Sequence, residues 1–196
     1  PSPTPPGLPQ KEEGSSYMAG CDLPALIVNV ERGGPGLGGI QPSQSDYFQA
    51  TRGGGHGDYH LFVVAPASVQ EMVSLTAHAF NVAEKYRVPA MLLADGTLGQ
   101  MMEPVSIEGI TVEDHDKSWA LTGTECKRKH NIINSLSLLP EELEQWNLER
   151  YKRYATIEEN EPMWEEYMMD DADVCVVAFG IASRVSRNAI KAARAQ

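Results

Sequence analysis

Arg32 is followed by "GGPGLGG", residues 33 to 39, and the pairing of one guanidinium with a glycine run is the first sign of chemistry in the chain. A guanidinium keeps its charge and offers a planar fork of donors that matches a carboxylate bidentately. Gly33, Gly34, Gly36, Gly38 and Gly39 would let backbone approach a bound molecule with no side chain intervening. Further on, "RGGGHGDYH" sets His56, Asp58 and His60 at alternate positions. In a strand these would share a face and could bind a metal; a hydrogen-bonded loop histidine is the commoner use. Neither glycine stretch is a phosphate cradle of known type. A P-loop would close on Gly-Lys-Ser/Thr, and a dinucleotide fingerprint would open a helix where "IQPSQSDYFQ", with Pro42, follows instead. With no G-x-S-x-G or H-E-x-x-H, hydrolase chemistry has no footing.

Those residues must be positioned by strands. "LPALIVNVE" (23–31), "HLFVVA" (60–65) and "PAMLLAD" (89–95) are short, nearly continuous apolar runs, the pattern of strands buried on both faces. Between the last two, Ser68 and Glu71 form a capping box, and Val69, Met72, Val73, Thr76, Phe80 and Ala83 fall on one helical face. Strand, helix, strand predicts a βαβ unit and a parallel α/β sheet. Residues 104 to 139 are mixed and irregular, as a wrapping linker would be. After Pro140 the chain turns acidic and reads as helix to about Tyr167. "DADVCVVAFG" then predicts another buried strand, and "ASRVSRNAIKAARAQ" an amphipathic helix capped by Ser183 or Ser186. The resulting divisions are 1–103, an α/β domain; 104–170, a linker with an acidic helix; and 171–196, the start of a second α/β domain.

Composition narrows the partners. A net charge of −11 over 196 residues argues against nucleic acid or an anionic membrane as the binding surface. Much of the excess lies between Glu141 and Asp171 and reads as a solvated helical face. The longest apolar runs are strand length, so no membrane span is expected. Cys21, Cys126 and Cys175 are sparse and odd in number, which suggests a reducing cytoplasm, and three thiols fall short of the four that an iron–sulfur cluster usually takes. The chain starts on Pro1 with no signal-peptide pattern and reads as an N-terminally truncated fragment.

Three long stretches resemble the α subunit of 2-oxoacid:ferredoxin oxidoreductases, of the 2-oxoisovalerate or 2-oxoglutarate type. They are "VNVERGGPGLGGIQPSQSDYFQATRGGGHGDYHLFVVAPASVQEM", "AEKYRVPAMLLADGTLGQMMEPV" and "DADVCVVAFGIASRVSRNAIKAAR", with "WALTG" and "LERYKRYATIEENEP" between. The likeness runs from about residue 12 to 196. It implies a fold: part of a parallel-sheet α/β domain that binds the pyrimidine of thiamine diphosphate, then the start of a second α/β domain. It also implies an activity, oxidative decarboxylation of a 2-oxoacid to an acyl-CoA with reduction of ferredoxin. A β subunit would hold the diphosphate, its magnesium and an iron–sulfur cluster, with γ or δ subunits as further partners and coenzyme A as co-substrate. "ADGTLGQ" (94–100) fits this division, since Ala94 stands where a magnesium motif would begin with glycine and no Asn-Asn follows.

By the same resemblance Arg32 holds the substrate carboxylate, Gly33, Gly34 and Gly36 border the cofactor, and His56 and Asp58 line the pocket mouth. Gln41, Ser43, Gln44 and Asp46 would order the loop. The family's pyrimidine-protonating glutamate and a "YPITP"-like substrate loop would precede Pro1, so no catalytic residue is expected here and the fragment is not expected to act alone. A non-catalytic structural subunit is the alternative. At "PSPTPPGLPQKEEG" the family has a Ser-Ser-Pro-Gly turn entering an apolar helix; Pro5, Pro9, Gln10 and Lys11 depart from it and argue against a helix start.

Overall fold

The computed structural model describes residues 8–195. Three parallel strands form the sheet: β1 (Ala25–Glu31), β2 (Phe62–Val64) and β3 (Pro89–Asp95), in the order β1-β3-β2. The helices are α1 (Leu8–Gly20), α2 (Tyr47–Arg52), α3 (Val69–Tyr86), α4 (Gly96–Gln100), α5 (Pro140–Asn160) and α6 (Gly180–Arg194). The α/β parallel sheet agrees with the sequence reading.

The βαβ unit β2–α3–β3 is the densest part. Ser68 Oγ accepts the Glu71 N–H at 3.1 Å, while Glu71 Oε2 reaches back to the Ala67 N–H at 2.8 Å, so the helix start is capped from both directions. At the other end Arg87 takes a left-handed conformation (φ 53°) and donates its N–H to Ala83. The packed face is shifted from the expected one. Val64, Ala79, Ala83, Ala90 and Leu92 form the core with Leu75 and Phe62 beside it, and Phe80 is half exposed. Alanines at 79 and 83 carry little hydrophobic signal in a sequence, yet their size lets the helix sit close on β3.

Other expectations need correction. Only β3 is buried on both faces; β1 is an edge strand with Val28 and Val30 half exposed, and β2 is reduced to three residues. The strand expected in 171–180 does not form. Val174 and Val177 are 81% and 94% exposed, because no neighbouring strand among the described residues offers them hydrogen bonds. α6 is capped at Phe179, not Ser183 or Ser186, whose hydroxyls bond back to Gly180 and Ala182 within the helix. α5 ends at Asn160, just before Pro162. α1 includes Pro9, which is tolerable in a first helical turn where the missing N–H would have no partner. Pro5 lies outside the described residues.

The linker is held to the core by side-chain amides. Gln70 exchanges two bonds with Ser106 (2.7 and 2.9 Å), and Asn81 bonds Thr111 and Glu113 in the same manner (2.9 and 3.0 Å). Both amides stand on α3, so 104–113 runs along that helix. No helix among the described residues is long and apolar enough to cross a membrane.

Candidate functional site

Parallel strands all end on one side, and that edge of an α/β sheet is where loops have freedom to bind ligands. Here β1 gives way to the loop 32–46 and β3 to α4. Glu31 and Asp95, the last residues of the two strands, are register partners and are 1% and 2% exposed. Asp95 Oδ1 caps α4 by accepting the N–H groups of Thr97 and Leu98 at 2.9 and 3.1 Å. Its Oδ2 accepts the Ile181 N–H at 3.2 Å, which fixes the start of α6 to the same edge.

Arg32 follows Glu31 and pairs across the loop with Pro42. The Gly33 N–H donates to Gln41 at 2.9 Å, and Gly39 donates to Gly33 at 2.8 Å, closing the glycine segment on itself. Arg32 Nη1 donates into that ring, to the carbonyls of Leu37 and of Gly39, the latter at 2.9 Å. Among the described residues its Nε and Nη2 make no hydrogen bond. The Nε–Nη2 edge is the side of the guanidinium that grips a carboxylate with two parallel bonds, and Arg32 is exposed.

The glycines divide into two kinds. Gly38 has φ +56°, and a Cβ there would sit 1.9 Å from the Gly33 carbonyl oxygen, so the turn itself demands glycine. Around Gly34 and Gly36 a Cβ would meet nothing within 4 Å, although the φ of +64° at Gly36 favours glycine by itself. Their bareness leaves room for a molecule from outside the loop. This is the fit that a thiamine diphosphate or its substrate would need from the chain: open backbone beside an unsaturated cationic fork.

Of the side chains expected to order the loop, Gln44 and Asp46 do so, while those of Gln41 and Ser43 make no hydrogen bond among the described residues. Gln44 Nε2 donates to the Phe179 carbonyl at 2.9 Å, and the Asp46 carboxylate accepts from Asn29 Nδ2 at 3.1 Å. Two further residues were missed by the sequence reading. Ser45 Oγ donates to the Arg32 carbonyl at 2.9 Å, and Glu31 Oε1 accepts the Asp46 N–H at 2.6 Å. Burial pushes the Glu31 carboxyl pKa up; the Asp46 N–H opposes this, and the charges of Asp46 and Asp95 reinforce it. Only the acid ending an apolar strand could have hinted at Glu31.

His56 and Asp58 are not brought to Arg32. They precede β2 and lie toward the edge where strands begin. The His56 carbonyl accepts Ser16 Oγ from α1 at 2.5 Å, and Asp58 borders a shallow groove against α5 at Glu144 and Tyr151. His60 is packed edge-on against Tyr151 and Tyr154, ring centroids 5.6 and 5.2 Å apart. Seven residues of strand separate the two edges, roughly 20 Å. No group of three or more His, Cys, Asp or Glu among the described residues could hold a metal. The three thiols are free and dispersed.

A cleft of about 1050 Å³ opens along β2, between Tyr47, Phe62, Trp164, Phe179 and Arg187, and Arg32 does not line it. The Arg32 loop stands out from the surface, with residues 36–42 exposed. It has donors and bare backbone and stands apart from that cleft, which leaves room for a second surface to complete a pocket there.

Comparison with known proteins bears on the family of the chain. The family model "Pyruvate flavodoxin/ferredoxin oxidoreductase, thiamine diphosphate-binding" matches residues 4–170. A ketoisovalerate oxidoreductase subunit VorB of Methanothermobacter thermautotrophicus is 50% identical over 192 residues, 97% of this chain and 54% of that protein. A 2-oxoglutarate synthase subunit KorA of Archaeoglobus fulgidus is 33% identical, covering 95% of this chain and 54% of that one. The chain thus spans about half the length of these relatives. Among solved structures, the 2-oxoglutarate:ferredoxin oxidoreductase of Magnetococcus marinus, with 2-oxoglutarate, coenzyme A and succinyl-CoA bound, superposes with a TM-score of 0.77 at 26% identity, over 97% of this chain and 38% of that one.

Proposed function

The chain belongs to the pyruvate flavodoxin/ferredoxin oxidoreductase thiamine-diphosphate-binding family, and on that premise we propose that it is part of the α subunit of a 2-oxoacid:ferredoxin oxidoreductase and brings the substrate-carboxylate site to it. The parent enzyme converts a 2-oxoacid and coenzyme A to an acyl-CoA and carbon dioxide, passing electrons to ferredoxin. One observation carries this reading: Arg32 keeps an open bidentate edge beside bare glycine backbone, on a protruding loop with room for a second surface. That surface is the β subunit, joined by further subunits in a cytoplasmic complex where thiols stay reduced.

Thiamine diphosphate, when bound, supplies the carbanion chemistry that the 2-oxoacid lacks. Gly34 and Gly36 would lie against it or against the substrate. Its magnesium and the iron–sulfur cluster belong in this reading to the partner subunit, since the described residues here present no ligand set for either. Arg32 orients the carboxylate that will leave as carbon dioxide. Binding this group too tightly would stabilise the ground state and slow its loss. The Leu37 and Gly39 carbonyls on Nη1 already share the guanidinium's charge, which tempers that grip. His56 and Asp58 have no part in the loop and would meet a substrate only through the completed complex. Residues 1–103 are the pyrimidine-side domain in this reading, 104–170 the linker, and 171–196 the entry to the next domain, where the unpaired valines would find strand neighbours.

The test is viologen reduction by the intact complex with coenzyme A and a panel of 2-oxoacids, the branched-chain acid first because of the VorB likeness. Replacing Arg32 by Ala should lower kcat/KM about 100-fold, the loss of a charge-assisted bidentate contact. Activity that survives the change makes Arg32 structural. No turnover of any 2-oxoacid, in a complex retaining its cofactors, favours a non-catalytic structural subunit.

A further inference from the structure

We propose that Glu31 is the positioning residue for Arg32, holding the loop closed as a neutral carboxylic acid. The inference rests on the reading of Arg32 as the carboxylate-binding group and goes beyond it by saying what sets that group in place.

The loop leaves the sheet at Arg32 and returns at Asp46, and the Glu31 side chain meets it at its return. Its Oε1 accepts the Asp46 N–H at 2.6 Å, while its own peptide leads into Arg32. Asn29, two residues earlier on β1, holds the Asp46 carboxylate at 3.1 Å, and Ser45 Oγ holds the Arg32 carbonyl at 2.9 Å. Both ends of the loop are therefore gathered on one buried side chain and its neighbours.

What surrounds Glu31 decides its charge. It is 1% exposed, and its Oε2 is buried with no hydrogen-bond partner. The titratable groups facing it are Asp46 from the loop's return and Asp95 from β3. No Lys, Arg or His forms an ion pair with it among the described residues. Asp95 is served by three backbone N–H groups, those of Thr97, Leu98 and Ile181, and Asp46 by an amide donor. Glu31 has one donor, two acidic neighbours and an orphaned oxygen. The proton belongs on Glu31. Its pKa is raised from the usual value, so the neutral form persists to higher pH. As pH climbs through the raised value a third negative charge appears in the cluster, and the loop and Arg32 with it are loosened.

In the full-length complex, the variants are Glu31→Gln, Glu31→Ala and Arg32→Ala, read as separate kcat and KM for the 2-oxoacid across pH. Gln keeps an acceptor for Asp46 and carries no charge. Its KM should stay within about twofold of wild type at low pH and lack the rise with pH expected of wild type, since a merely structural role would not move that limb. Ala should raise KM about tenfold with kcat little changed, because a small displacement of a positioned group costs on that scale. The proposal is overturned if Gln behaves like Ala, if Ala leaves KM alone while Arg32→Ala raises it, or if the Gln and wild-type pH profiles coincide. Should Ala fail to assemble, the pH profile of Gln still decides. Arg32→Ala with wild-type KM would instead show that the underlying reading of Arg32 is wrong.

Discussion

The two edges of the sheet hold opposite arrangements of charge. Where strands begin, arginines crowd one acid: Arg153 donates to the Asp22 carboxylate, Arg150 Nε lies 3.5 Å from it, and Arg87 donates to the Asp22 carbonyl at 3.2 Å. Every one of these guanidinium groups has further work within the chain. Arg150 bonds Asn147 and the Gly20 carbonyl, Arg153 bonds the Tyr86 carbonyl, and Arg87 stacks on Trp119 at 4.3 Å. Burial lowers the Arg87 pKa, as expected for a cation put to structural use. Where strands end, acids crowd and one arginine faces out with half its fork unspent. An arginine tied to several partners in its own chain staples elements together; one with an open edge beside bare glycine is free to meet a ligand, as we propose for Arg32. The first edge joins α5 and α3 to β1, and the second is where we propose that binding occurs.

Removing Asp22 should break the comparison on the structural side with the largest effect. Asp22→Ala leaves Arg150, which is buried, beside Arg153 and Arg87 with no counter-charge. Breaking a buried pair costs about 3–5 kcal/mol; Asp22 is 32% exposed, so about 2–3 kcal/mol is expected here. The complex should melt roughly 5–10 °C lower, with KM for the 2-oxoacid unchanged in what remains folded. A KM that rose with Asp22→Ala would mean the two edges are coupled.

Gly38→Ala acts on the other edge and should do the reverse. The added methyl would collide with backbone and not with a side chain able to swing away, so the loop must change path. The Gly39-to-Gly33 bond and the Arg32 contact to Gly39 would be lost together. KM should rise about tenfold, about 1.4 kcal/mol, while the melting temperature moves by no more than a few degrees because the loop covers no core.

How much of this was legible depends on whether the signal was local. The βαβ unit was, since Ser68, Glu71 and two apolar runs are all the information it needs. The Arg32–glycine pairing was too, because a bare backbone and a fixed cation are visible in residue types. Val174 to Val177 look like a strand in any window, but a strand is made by neighbours, and none of the described residues pairs with them. His56 and Asp58 carry the right chemistry, yet alternate spacing reports a shared face and says nothing about which edge of the sheet. Glu31 was hidden because an acid ending an apolar run ordinarily marks the strand's emergence into water. Its burial comes from Asp46 returning over it and from Asp95 across the register.

Gly34→Ala sharpens the comparison most finely and should have the smallest effect. The residue's φ is not left-handed and its Cβ would meet nothing within 4 Å, so within this chain alanine costs nothing. Stability should stay within about 0.5 kcal/mol, the range of an unhindered surface change, or gain slightly from a stiffer unfolded chain. If the bare backbone is there for a bound molecule, one methyl in its path should cost about 1 kcal/mol and raise KM for the 2-oxoacid or thiamine diphosphate about fivefold at an unchanged melting temperature. That split has one reading, because a methyl with no neighbour in its own chain can be felt only by something that arrives from outside. Wild-type KM with wild-type stability would mean that the ligand keeps its distance from Gly34, and would leave Arg32 as the loop's single point of contact.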